Sequence, residues 1–442
     1  MKRDGMAPVA RDVLVQHVLR AGERYVGGHS SRFQALPVAE LPFPMVGGAL
    51  KLVDVVLPAW GAHWGCDGIL AVPLECCTDP AEPQWAQVDW WLAAFLMLEG
   101  WHERVWELQH GPIHSYAFRL HGWDERAWER AWVNRIALFL RSWTAHQAGM
   151  TEATLFGPLP SAELRLTHDV DAMAKTWAIR LKQSAFLVFN SLRLLLRGHQ
   201  SEASARFRRA LRFLLMRDDD WSLDEMQEME RRVGLRSQFN FYADDRPKSL
   251  SRWLFDPGYD VTMPQLAVLL NSLIRDGWRV GLHQSYDAWK ASALMRRQKE
   301  RLQSLLPVTV SSCRQHWLRF SWENTWSAQA EAGFRQDTTL MFNDRPGFRV
   351  ATALEWVPWN VVQGSDESFK ALPTILMDSH FYDYQPMSAT ARRAALKHWL
   401  SEVVAVGGQA AVLWHPHTIS ADYGWREGFQ DLIEEISGVA AC

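Results

Sequence analysis

Leu164-Arg165-Leu166-Thr167-His168-Asp169-Val170-Asp171 carries apolar residues to its end and then presents three ionisable side chains. The stretch reads as a short buried strand, and α/β folds place their chemistry at the C-terminal ends of such strands. Asp169 and Asp171 stand two residues apart, so on a continuing strand they point the same way. Carboxylates so placed repel, and need a cation or a division of roles. Asp is also a favoured N-cap. A cap for a helix starting near Ala172 accounts for one Asp, but not for the whole His-Asp-x-Asp group.

Working outward, the chain after Leu235 alternates β and α patterns. Strands are expected at Ser237 to Tyr242, Trp278 to Leu282, Val308 to Val310, Thr338 to Phe342, Pro373 to Met377 and Gln409 to Trp414. Helices are expected at Thr262 to Asp276, with Pro264 in the first turn and Gly277 as the stop, and at Tyr286 to Leu306. Others are expected at Ser327 to Ala332, Thr390 to Val406 and Trp425 to Ile436. This alternation predicts a mostly parallel sheet, open or closed as a barrel. Asp169 with Asp171, His283, Arg314 with His316, and His415 all fall at or just past predicted strand ends.

The first 160 residues read as a separate α+β unit, with Gly157-Pro158-Leu159-Pro160 as the boundary. Leu50 to Leu57 and Gly68 to Pro73 are β-like, and Val88 to Glu99 reads as a buried helix. A helix is expected from Asp124 to Trp143, where Trp128, Trp132, Ile136, Leu140 and Trp143 recur on one face. His102, His110, His114 and His121 lack metal-ligand spacing and read as ordinary surface or core residues.

A segment at 172–234 interrupts the alternation as an insert. From Lys175 to Arg217 it holds ten Lys or Arg and a single acidic residue, Glu202, among Trp, Phe and Leu. That composition describes a helix lying in a membrane interface as well as it describes a hairpin packed on the barrel. Asp218, Asp219 and Asp220 read as a cap for a helix from Leu223 to Val233.

With 442 residues, two domains are the natural expectation. A net charge of -3 gives no reason to expect a nucleic-acid partner. Five cysteines, an odd number without CxxC pairs, indicate free thiols and neither a disulfide framework nor a cysteine zinc site. The N-terminal sequence has no apolar run long enough for a signal peptide or a membrane span. The chain therefore reads as cytoplasmic, with peripheral contact at the inner membrane face through the insert as one of its two readings.

Thr167-His168-Asp169-Val170-Asp171 resembles the first motif of the NodB-homology polysaccharide deacetylases, carbohydrate esterase family 4. In that family's order follow Gly281-Leu282-His283-Gln284-Ser285-Tyr286, Arg314-Gln315-His316-Trp317-Leu318 and Leu413-Trp414-His415. The resemblance runs from about Ser161 to the C-terminus and is nearest a divergent branch reading HDVD, GLHxSY and RQHxL. The segment from Ala93 to Glu103 resembles the accessory domain that precedes the barrel in this branch.

The resemblance implies a distorted (β/α)7-type barrel and hydrolysis of N-acetyl or O-acetyl groups on a glycan or glycan precursor, with a divalent metal, zinc first. It implies Asp169 as general base, Asp171 and His283 as metal ligands and Arg314 as the bidentate partner of Asp169. It implies His415 as the acid for the leaving amine. Ser285, Tyr286 and Trp317 are the expected substrate contacts. Asp287 stands where the family usually has its second metal histidine, four residues after His283. The third ligand is therefore Asp287, on one face of a helical turn with His283, or His316, which the branch's motif favours. Asp378 is a candidate to orient His415. Two rival readings use the same residues: a glycosyltransferase DxD motif at Asp169 and Asp171, or a carbohydrate-binding barrel without catalysis.

Overall fold

The computed structural model describes residues 7–196, 198–215, 223–363, 368–385 and 387–440, the side chains of 363 and 440 excepted. The expected cap at Asp218 to Asp220, the end of the basic segment at Arg217, and Cys442 lie outside these residues. The remaining cysteines, Cys66, Cys76, Cys77 and Cys313, are unpaired thiols.

Near the N-terminus, β1 (Leu52–Val56) and β2 (Ile69–Pro73) form an antiparallel pair. The helix Trp90–Leu98 is buried along its whole length. Asp89 caps it by accepting from the Leu92 N–H at 3.0 Å, and takes an Arg11 guanidinium on the same carboxylate. The expected helix over 124–143 is divided into a 3-10 turn at Glu125–Trp128 and a helix at Trp132–Gln147. The cause is tertiary: Phe348 N–H donates to Trp128 O, Ala131 N–H to Glu402 Oε1 and Val133 N–H to Ala351 O. Backbone groups that a continuous helix would pair internally are taken by the rest of the chain. Among the described residues, none of His102, His110, His114 and His121 joins a metal-capable group.

The remaining strands form one curled parallel sheet of eight: β3 (Glu163–Val170), β4 (Gln238–Tyr242), β5 (Arg279–Gln284), β6 (Ser312–Gln315), β7 (Gln336–Asp337), β8 (Lys370–Ala371), β9 (Thr374–Met377) and β10 (Gln409–Leu413). Their order is β8-β7-β6-β5-β4-β3-β10-β9. The edge strands β8 and β9 are neighbours along the chain, separated by Leu372-Pro373. One kinked segment thus pairs with β7 at one end and with β10 at the other, drawing the sheet into a distorted barrel.

Two strand boundaries and one helix differ from expectation for local reasons. The strand expected at 308–310 begins at Ser312, because the Gln303 side chain ties Val308 O and Val310 N. The helix expected at 286–306 opens with a 3-10 turn at Ala288–Lys290 and resumes at Ser292–Gln303. Pairing expected over 338–342 stops at Asp337, because Thr338 O accepts from Arg314 Nε and Thr374 Oγ1 in place of a neighbouring strand.

The insert forms a hairpin of the helices Trp177–Leu196 and Gln200–Leu215, followed by the helix Leu223–Arg232. Cross-strand register then sets the site: Asp169 lies opposite Asn240, Asn240 opposite Gly281, and His283 opposite both Tyr242 and Arg314.

Candidate metal centre and cleft

Alternation along β3 sends His168 and Asp169 to opposite faces of the sheet. His168, read with the aspartates as one group, points away from them and is wholly buried. Its Nδ1 faces Trp414 O at 2.6 Å and its Nε2 faces Glu230 at 2.7 Å. Asp169 and Asp171 share the inner face, as the two-residue spacing predicts.

Asp169 is buried and held on three sides. Asn240 Nδ2 donates to its Oδ1 at 2.8 Å, Arg314 Nη1 donates to the same oxygen at 3.1 Å, and His283 Nδ1 lies 3.6 Å from Oδ2. Burial by itself raises this carboxyl, but Arg314 and then His283 outweigh it and hold it below the usual range. The expected bidentate pair is a single contact. Arg314 gives its other donors to Thr338 O at 3.0 Å and Thr374 Oγ1 at 3.1 Å, which fix the guanidinium against the sheet edge.

Asp171, His283 and His316 converge. His283 Nε2 is 3.1 Å from Asp171 Oδ1, His316 Nδ1 is 3.5 Å from the same oxygen, and the two ring nitrogens are 2.6 Å apart. The far nitrogens settle the tautomers. His283 Nδ1 lies 3.2 Å from Arg314 O, and His316 Nε2 lies 2.6 Å from Phe255 O. A carbonyl can only accept, so each ring donates outward and turns a lone pair inward. Asp171 Oδ1 is itself buried without a hydrogen-bond donor. Three acceptors facing one another call for a proton or a cation between them. The set fits a divalent ion: one carboxylate and two imidazoles are the ligands zinc takes in catalytic sites, and its bonds of about 2.0–2.1 Å span the spacings to Asp171. Asp287 is not in this group; it is half exposed and lies 3.9 Å from Arg319.

His415 completes the inner face. Its Nε2 lies 3.6 Å from Asp171 Oδ2, and its Nδ1 donates to Asp378 at 2.9 Å. Asp378 is wholly buried and accepts further from the His415 and Ser379 N–H groups and the Thr418 hydroxyl. Burial lowers the His415 imidazole, but Asp378 and next Asp171 overcome it and push its pKa up to about 10. His417 is turned toward Tyr423, with ring centroids 5.0 Å apart.

The expected substrate contacts part ways. Ser285 is fully buried, and its hydroxyl oxygen accepts from Gln298 and Arg246. Tyr286 stacks on Phe255, with centroids 4.5 Å apart, beneath the Arg319 guanidinium. Trp317 is 42% exposed beside His316, at φ +57°, a left-handed conformation costly for a bulky residue. The N-terminal region secures that loop. Ser115 donates to Trp317 O, Glu107 accepts from the Ser321 hydroxyl and the Trp322 N–H, and His114 Nδ1 donates to Phe320 O.

Sequence reading missed Asn240, Phe255 and Tyr259. Tyr259 receives the Tyr242 N–H and donates to Val170 O at 2.8 Å, bracing the end of β3. The close approach at β5 carries the one available signal for Asn240. A Cβ on Gly281 would lie 2.3 Å from Asn240 Oδ1 and 2.9 Å from Gln238 and Ser312, so only glycine leaves room for the amide that holds Asp169.

No protein-family model and no curated protein matches the sequence. Among solved structures the chain is similar to a protein of Mycobacterium smegmatis provisionally described as a polysaccharide deacetylase. Identity is 19% and the TM-score 0.36, over 63% of this chain and 85% of that one. It is similar also to a carbohydrate esterase family 4 pseudoenzyme from Bacillus anthracis, at 11% identity and TM-score 0.28, over 63% of this chain and 61% of the other. A mutant of that pseudoenzyme with restored enzymatic activity aligns at 10% identity and TM-score 0.28, over 64% and 65% of the two chains. Likeness of this degree leaves the functional reading to the site's own geometry.

Proposed function

We propose that the chain is a metal-dependent hydrolase that removes N-acetyl or O-acetyl groups from a glycan or glycan precursor. One observation carries the reading: Asp171, His283 and His316 present three acceptors to one point, with both imidazole tautomers set by backbone carbonyls. These residues would hold a divalent cation, zinc by its preference for this ligand set. A bound divalent ion supplies a Lewis acid and lowers the pKa of water.

The other residues take their roles from position. Asp169, kept ionised by Arg314 and His283 and held in place by Asn240, is free to accept a proton from water entering beside Asp171. His415, held by Asp378 and facing the same centre, donates a proton to the departing amine or alcohol. Trp317, exposed beside His316, offers an aromatic face to a sugar ring at the rim, backed by the Phe255–Tyr286 stack. The division between Asp169 and Asp171 favours hydrolysis over a nucleotide-sugar DxD site, because Asp169 is engaged by Arg314 and Asn240.

Elemental analysis of the purified protein with a deacetylation assay on N-acetylated sugar oligomers tests the reading. A bound transition metal and metal-dependent acetate release are expected. Full metal occupancy with no acetate released from any acetylated sugar would reduce the chain to a binding protein.

A further inference from the structure

The first helix of the insert turns its apolar side outward. Helix Trp177–Leu196 buries Arg180, Ser184, Leu187, Asn190 and Ser191. The two serine hydroxyls donate to Ala210 O and Ala203 O across the hairpin. On its opposite side, three and four residues apart, stand Trp177 and Leu181, 64% and 54% exposed, then Phe189, Leu192 and Leu196, 62%, 55% and 89% exposed. Helix Gln200–Leu215 extends the patch with Phe207, Leu211 and Leu215, and exposed Arg208 and Arg212 follow Phe207 and Leu211 along it. A hairpin stable in water has the reverse arrangement.

The other side of the hairpin is fastened to the barrel. Lys175 forms a buried pair with Asp422 at 2.7 Å, Arg206 donates to Tyr382 O and Arg209 to Tyr423 O, and Phe213 meets Tyr423 edge-on. The hairpin is thus held on a rim with its apolar patch facing away. No helix among the described residues is long and apolar enough to cross a membrane. A patch of this extent rimmed by arginines suits the plane of a headgroup layer.

Charge selects the occupant. The chain carries a net charge of -3, yet 175–217 has ten cationic residues and one acidic, and while Lys175, Arg206 and Arg209 are turned to the barrel, Arg208 and Arg212 stand exposed beside the apolar patch. A second copy docked through the same face would oppose two cationic hairpins, whereas an anionic bilayer complements one. We propose that this face docks on an anionic lipid surface. The hairpin begins six residues after Asp171, so docking brings the cleft to the bilayer. There a lipid-linked glycan would present its acetylated sugar, a consequence that rests on the hydrolase reading, as the docking itself does not.

The test is flotation of the full-length protein with phosphatidylcholine vesicles made with and without phosphatidylglycerol, alongside sedimentation for oligomeric state. Binding is expected only with phosphatidylglycerol, abolished by Phe189→Asp with Leu192→Asp, and weakened about tenfold or more by Arg208→Glu with Arg212→Glu. Negligible binding to both vesicles overturns the proposal. So does binding that neither variant alters, or a dimer in solution that Phe189→Asp disperses. The arginine variant changes only exposed side chains and keeps the test decisive if the apolar variant misfolds. Loss of acetate release with flotation intact would count against the hydrolase reading and leave the docking standing.

Discussion

Two histidine–carboxylate groups lie on opposite faces of the same sheet, and their difference identifies the site. On the outer face, both His168 nitrogens meet a hydrogen-bond partner, Nδ1 at Trp414 O and Nε2 at Glu230. Glu230 receives in addition the Ser237 N–H and hydroxyl and the Trp278 Nε1–H. Every partner is matched, and the arrangement is structural. On the inner face, His283 and His316 have already donated outward, and their remaining lone pairs face Asp171. Histidine beside carboxylate gives a closed network in one case and a ligand set in the other. Where the second ring nitrogen points decides which.

The largest effect is expected from separating the two groups by mutation. His283→Ala should leave a folded protein without bound metal or activity, since a catalytic site of three ligands loses one. His168→Ala should keep its metal but unfold about 3–5 kcal/mol more easily, because it breaks a buried pair and leaves Glu230 without its histidine partner. Metal content and urea denaturation of both variants check this pair. Full metal stoichiometry in His283→Ala would erase the distinction.

Next come the groups that surround the ligand set. Asp169→Asn and His415→Ala should each lower turnover roughly 10²–10⁴-fold with metal retained. Steady-state kinetics on metal-loaded protein measures this, and near-normal turnover removes the residue concerned from the chemistry.

A smaller effect is expected at Gly281→Ala, whose added methyl must displace Asn240 and so shift Asp169. A displacement near 1 Å can reduce turnover by about 10²-fold. Asn240→Ser in the same background should recover part of the loss by making room; no recovery would mean that the clash acts elsewhere. The smallest effect belongs to Glu107→Ala, which loosens the Trp317 loop by removing its ties at Ser321 and Trp322 while those from Ser115 and His114 remain. Losing a buried acceptor of this kind costs about 1–3 kcal/mol of stability. A raised KM with kcat kept is expected, and an unchanged KM would detach Trp317 from substrate.

The alternating β and α patterns make the parallel sheet legible, and the abrupt change from apolar to ionisable residues at strand ends marks Asp169, Asp171, His283, Arg314 and His415 in the sequence alone. Local periodicity suffices for this, because a strand shows its two faces every second residue. It did not suffice for His168, whose neighbours in sequence suggested a common role that alternation itself denies. The helix over 124–143 failed for a different reason: backbone groups at Trp128, Ala131 and Val133 are claimed by Phe348, Glu402 and Ala351, far along the chain.

What the sequence determined by itself, then, is the succession of elements and the set of ionisable groups carried to one end of the sheet. Only the tertiary structure decided how those groups divide their work. The lone pairs of His283 and His316 are aimed by carbonyls 31 and 61 residues away. Asp169 is held by an amide that lies 71 residues off, in register across β4 and admitted by a missing Cβ on β5. The apolar side of the insert's first helix, Trp177–Leu196, is outward because its largely polar side is the one that packs. Periodicity names the sides of a helix or strand, but which side meets a partner depends on contacts between distant segments, and no local pattern encodes those.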